Sequence, residues 1–200
     1  MAGKPVELQF ITRRVVNGVE WSARDGAPPF VGLSGDEPAS WDKVGEALAG
    51  DFRVIAVNPE SPYDLLNVIW ATREPAIVVA QGRKACATAA RTAIQGAGSV
   101  RALVLIEFGS ARSGGWLREV AVPTLVLRGR QSKVQTHEDA VAIHELIRRS
   151  RLIEPEDCGS KPVQRYTNVL LQAVRWYLGS LGAAPIDFPV NGEPIDPKRG

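Results

Sequence analysis

The stretch Ala76-Ile77-Val78-Val79-Ala80-Gln81-Gly82-Arg83-Lys84-Ala85-Cys86-Ala87 decides how this chain is read. Its five apolar residues are too short a run for a buried helix and stop at Gln-Gly, so they read as a buried strand entering a sharp turn. After the turn, the Ala-rich segment from about Lys84 to Ile94 carries small residues that let a helix lie close on a sheet, and Gly96 and Gly98 end it. The unit is therefore strand, tight turn, helix, with no serine, cysteine or aspartate at the turn.

Outward from this unit, strands and helices alternate. On its C-terminal side, Val100 to Ile106 and Thr124 to Leu127 are near-continuous apolar runs, as expected of parallel strands covered on both faces. Thr136 then reads as a helix cap, with Asp139 three residues on. Arg151 to Ile153 is a last short strand and Val163 to Leu178 a last amphipathic helix. On the N-terminal side, Phe52 to Val57 is a strand stopped by Asn58-Pro59, and Leu65, Leu66, Ile69 and Trp70 mark a short helix. Pro29 to Leu33 is a strand, followed by helical spacing of Trp41, Val44, Ala47 and Leu48. Asn17-Gly18, between apolar runs from Val6 to Val16 and Val19 to Arg24, predicts a two-residue hairpin turn, because this dipeptide supplies the positive φ angles of a type I′ turn. The expected fold class is α/β: a doubly wound, mostly parallel sheet with an antiparallel N-terminal hairpin. One domain covers residues 1–180. A tail over 181–200, with Pro185, Pro189, Pro194 and Pro197, is expected to be disordered or to strap a neighbour.

In order and spacing, the segments Asn17-Gly18-Val19, Pro28-Pro29-Phe30-Val31-Gly32-Leu33-Ser34-Gly35, Ser40-Trp41, Phe52-Arg53-Val54-Ile55-Ala56, Val100-Arg101-Ala102-Leu103-Val104-Leu105-Ile106 and Val122-Pro123-Thr124-Leu125-Val126-Leu127-Arg128-Gly129 resemble successive landmarks of the α/β-hydrolase family. The resemblance places the family's Gly-x-Ser-x-Gly elbow on Gln81-Gly82-Arg83-Lys84-Ala85, with Arg83 at the nucleophile, or Gly82 if the register moves by one. Neither is a nucleophile. It places the acid of the Ser-His-Asp triad in Gly129-Arg130-Gln131-Ser132-Lys133, which contains no carboxylate, and the histidine in Asp157-Cys158-Gly159-Ser160-Lys161, where Ser160 stands instead. The only histidines, His137 and His144, belong to a helix cap and a surface helix. Three coordinated losses imply a degenerate, non-hydrolytic member of the family.

Other groups remain for chemistry or binding. Ser34-Gly35-Asp36 follows the strand where the family exposes an oxyanion-hole amide, and it reads equally as a polar turn capping the next helix. Arg83 and Lys84 open a helix whose free amides already favour anions, so they suit an anionic ligand or, alternatively, internal ion pairs with Glu60, Glu107 or Asp157. Asn58, Glu60 and Glu107 end strands at the edge where α/β sheets bind ligands; Glu107 and Asp157 are the acid/base candidates. Cys86 and Cys158 have no adjacent base and read as buried thiols. The segment from Glu107 to Val122 is too short for a cap domain and leaves room for one short helix around Trp116-Leu117, so the cleft should be open unless the tail, that loop or a second copy in a homo-oligomer covers it.

Two functions fit. One is a pseudoenzyme serving as a binding module for a small acyl or anionic ligand or a protein partner. The other is a non-hydrolytic cyclase, isomerase or lyase of secondary metabolism, acting on an acyl or polyketide-like metabolite. Basic residues exceed acidic ones by only two and are scattered along the chain, so nucleic acid is not an expected partner. No apolar run approaches the roughly 18 residues of a spanning helix, and residues 1–7 lack the apolar core of a signal peptide. A cytoplasmic protein without membrane contact, cofactor or metal is expected.

Overall fold

Residues 4–9, 15–21, 27–34, 38–110 and 114–181 are described by the structure, a computed structural model of the chain. The strands are β1 (Lys4–Gln9), β2 (Val15–Trp21), β3 (Pro29–Ser34), β4 (Arg53–Val57), β5 (Ala76–Gln81), β6 (Val100–Ile106), β7 (Thr124–Leu127) and β8 (Ser150–Ile153). They form one sheet in the order β1-β2-β4-β3-β5-β6-β7-β8. β2 runs antiparallel to both β1 and β4, and the remaining pairs are parallel. Parallel strands joined by crossovers bury both faces, which explains their unbroken apolar sequences.

Side-chain alternation divides the core in two. Val31, Leu33, Ile55, Val57, Val78, Ala80, Leu103 and Leu105 face α2 (Pro62–Thr72), α3 (Arg83–Gln95) and α4 (His137–Leu146). Phe30, Val54, Ala56, Ile77, Val79, Val104, Ile106, Leu125 and Leu127 face α1 (Asp42–Leu48) and α6 (Thr167–Gly179). Ala85, Ala89, Ala90 and Ala93 bring α3 close to the sheet, as the small residues predict. Ser61 caps α2 in a reciprocal box with Asp64, and the Thr136 hydroxyl accepts the Asp139 amide at the start of α4. Between β6 and β7 the described residues contain one 3-10 turn, Gly115–Glu119, and no cap domain.

Two expectations need correction. Asn17-Gly18 is not a turn: both residues lie inside β2, opposite Glu7 and Val6, and the β1–β2 connection falls at 10–14, outside the described residues. Glycine is needed at 18 for proximity rather than for a turn, since a Cβ there would lie 2.8 Å from the Ala56 carbonyl oxygen and 2.9 Å from Val57 Cγ1 on β4. The last helix is not continuous either. It breaks at Tyr166 (φ −128°, ψ 40°) into α5 (Pro162–Arg165) and α6, and α5 is held by contacts with the end of β5. All but the first residue of the expected tail lies outside the described residues. No helix among the described residues is long and apolar enough to cross a membrane.

Candidate functional site

The carboxyl ends of β5, β6 and β7 share a sequence pattern: each apolar strand is followed or closed by a polar residue, Gln81, Glu107 and Arg128, and all three are buried. A buried polar group needs a partner, and the loops that follow the neighbouring strands provide it. Gln81 donates from Nε2 to Gln164 Oε1 at 2.8 Å and accepts the Val163 amide on Oε1 at 2.9 Å, which clamps α5 onto β5. Arg128 donates from Nε to the Gln135 carbonyl at 2.6 Å and from Nη1 to Glu154 Oε1 at 2.8 Å. Sequence reasoning passed over Gln81 and Arg128, although a polar residue ending an apolar run was the available signal.

Glu107 lies between them, 2% exposed and in the left-handed region at φ 51°. Its Oε1 accepts a short hydrogen bond from the Ser132 hydroxyl, and its Oε2 accepts the Lys161 amide at 3.0 Å. Ser132 Oγ lies 3.4 Å from Ser160 Oγ and accepts the Val134 amide at 3.2 Å, while Ser160 Oγ accepts the Lys133 amide at 3.1 Å. The topology thus brings together three of the expected residues, Glu107, Ser132 and Ser160, from the loops after β6, β7 and β8. Asp157 stays outside the cluster and is exposed. The loops also meet backbone to backbone: a Cβ at Gly129 would lie 2.4 Å from the Cys158 carbonyl oxygen and 2.6 Å from that of Gly159.

Gly82 forms the turn between β5 and α3 at φ 86°, ψ 160°, a region that only glycine enters without strain, while Arg83 is the first residue of the helix. The Gly82 amide donates to the Ile106 carbonyl at 2.8 Å, and the space its Cβ would fill is open. No side chain caps α3, so its first-turn amides have no protein partner inside the helix. Arg83 and Lys84 are exposed at this turn, and the stem of Arg83 lies near Gly109. Among the described residues neither forms an ion pair, so pairing with Glu60, Glu107 or Asp157 is not what the structure contains.

The other expected residues are spread around this edge. The backbone of Ser34 ends β3 opposite Gln81, Gly35 and Asp36 lie outside the described residues, and Asn58 and Glu60 are exposed beyond β4, two strands away from β5. His137 Nδ1 pairs with Glu154 Oε2 at 2.7 Å, and His144 Nδ1 with Ser150 Oγ at 2.7 Å. Both thiols are buried. Cys86 donates toward the Ala80 carbonyl at 3.2 Å and is pushed well above its ordinary pKa by burial; Cys158 is pushed up to about 11 by burial and the nearby Glu107 carboxylate. Among the described residues no three His, Cys, Asp or Glu side chains converge to hold a metal ion.

The sequence matches no family model and no curated protein. The structure is similar to several solved hydrolases. A predicted CIB-like hydrolase from Thermoplasma acidophilum superposes with a TM-score of 0.78 at 13% identity, over 90% of this chain and 100% of that one. A bacterial membrane phospholipase A gives 0.77 at 13% identity, over 92% and 88%. A serine hydrolase of carbazole degradation gives 0.76 at 18% identity, over 89% and 99%. The strand order, the turn after β5 and these superpositions give one conclusion: the chain has the α/β-hydrolase fold.

Proposed function

We propose that this protein is a non-hydrolytic user of its fold, a binding module whose cleft at the carboxyl edge takes a small acyl or anionic ligand or a protein partner. The observation that carries the proposal is the turn Gln81-Gly82-Arg83, where the only residue with positive φ is a glycine and nothing can be acylated. What would have been its helpers fit the same reading. Ser132 and Ser160 meet without an imidazole between them, and both oxygens of Glu107 are engaged in holding loops together. A nucleophile, base and orienter within hydrogen-bond reach of one another are what hydrolysis requires. For binding, the uncapped start of α3 and the unpaired Arg83 and Lys84 favour a negative group.

A second reading, a cyclase, isomerase or lyase acting on an acyl or polyketide-like metabolite, draws support from the buried, left-handed Glu107, because strained backbone concentrates at working sites. The test uses p-nitrophenyl butyrate, a fluorophosphonate label and octanoate as an acyl anion. The expected result is neither turnover nor labelling, with octanoate binding that weakens in Arg83→Gln/Lys84→Gln at an unchanged melting temperature. Turnover abolished by a substitution in the elbow would overturn the proposal. Conversion of an acyl thioester without hydrolysis, lost in Glu107→Gln, would select the second reading.

A further inference from the structure

The amino ends of β6, β7 and β8 lie at the opposite edge of the sheet from the cleft, and they border an open pocket of about 600 Å³. Three arginines line it: Arg101 near the start of β6, and Arg149 and Arg151 flanking Ser150 at the start of β8. Among the described residues none of the three forms an ion pair. Three guanidinium groups in one concavity repel one another, and a pocket that keeps them without a carboxylate holds a strong positive potential. The contacts they do make position them. Arg151 donates to Ser180 Oγ at 2.8 Å and stacks 5.3 Å over the Trp176 ring, and Arg149 reaches the Ala121 carbonyl at 3.5 Å.

A second observation is independent of the charge. Tyr177 on α6 also lines the cavity; it is 2% exposed, and its buried hydroxyl has no hydrogen-bond partner among the described residues. Such a group costs free energy unless something completes it. Burial pushes its pKa up, and the charges of Arg151 and Arg149 oppose that shift.

We infer that this pocket is a binding site for a phosphate-bearing small molecule, held by Arg101, Arg149 and Arg151. Guanidinium forks match the paired oxygens of a phosphate, and several of them together favour a multiply charged group over a single carboxylate. Pro123, Leu181 and the Tyr177 ring leave apolar wall for the remainder of such a molecule. The site is separate from the cleft and does not depend on whether the cleft is catalytic.

The test is calorimetric titration of the full chain with pyrophosphate, and with acetate at matched ionic strength. The titration is run in the Arg83→Gln/Lys84→Gln background, so that the cleft does not contribute; the expected result is one saturable pyrophosphate site, weakened about tenfold by Arg101→Gln or Arg149→Gln, both exposed side chains. The absence of saturable binding up to about 10 mM in that background would overturn the proposal. So would binding that appears only after Asp187, Glu193 and Asp196 are replaced by their amides, since the pocket would then belong to carboxylates of the chain's own C-terminal segment.

Discussion

Glu107 and Tyr177 are equally buried, each 2% exposed, and stand at opposite edges of the same sheet. At the carboxyl edge Glu107 has a donor for each oxygen, and Gln81 and Arg128 beside it are likewise answered by neighbouring loops, with Gln135 Oε1 the exception. At the amino edge, among the described residues, Tyr177 has none and the three arginines near it form no ion pair. Buried polar groups normally complete one another within the fold, so an edge where they do so is a structural joint. The arginines left without an ion pair at the amino edge are the basis of the phosphate site proposed above.

The largest effect that would sharpen this contrast is expected from Gly129→Ala. The added Cβ meets two backbone carbonyls that cannot swing away, which forces the 158–159 loop off β7 at a cost of about 3 kcal/mol in urea unfolding. Wild-type stability in that variant would mean that the loops of the carboxyl edge are not jointed as described. Next comes Glu107→Gln, whose carbonyl oxygen keeps the Lys161 amide while its Nε2–H must donate to Ser132 in place of accepting from it, so charge-assisted bonds become neutral ones at a cost of about 1.5 kcal/mol.

A smaller effect is expected from pH. Cys86 and Cys158 keep their protons in the folded state to higher pH than in the unfolded chain, where a thiol titrates near 8.5. Their contribution is therefore complete below that pH and is lost as pH rises toward 11, on the order of 1 kcal/mol per thiol by pH 9.5. A denaturation midpoint that holds steady from pH 8 to 9.5 would contradict the burial, as would rapid labelling of either thiol by iodoacetamide in the native protein at pH 8. The smallest effect has the opposite sign. Tyr177→Phe removes a hydroxyl that bonds to nothing and should leave stability unchanged or raise it by about 0.5 kcal/mol. If it costs as much as Glu107→Gln, the two edges are alike and the comparison collapses.

The sheet was legible because burial on both faces writes itself as continuous apolar sequence; Val100–Ile106 and Thr124–Leu127 have the expected bounds. Asn17-Gly18 misled because glycine at 18 answers a close approach between β2 and β4, a tertiary fact that mimics a turn signal. The break at Tyr166 was hidden for a similar reason, since Gln81 holds α5 from 82 residues away. At the site, the candidates after β6, β7 and β8 were visible one by one, but their meeting was not, because residues 107, 132 and 160 converge only once parallel strands align their ends. The arginine pocket had no signature at all. Arg101, Arg149 and Arg151 read as scattered charge until the sheet gathered them.

The clamp of Gln81 on α5 has a mechanical side. α6 follows α5 after a single broken residue and runs for thirteen residues, roughly 20 Å, to Tyr177 and Ser180 at the arginines. The helix is thus a connecting rod with one end geared to the elbow through Val163 and Gln164 and the other seated in the wall of the distant cavity. Packed on the sheet by Leu170, Ala173 and Val174, it has little freedom to bend, so any axial slip at the cavity end must be absorbed at the Tyr166 joint or delivered to Gln81.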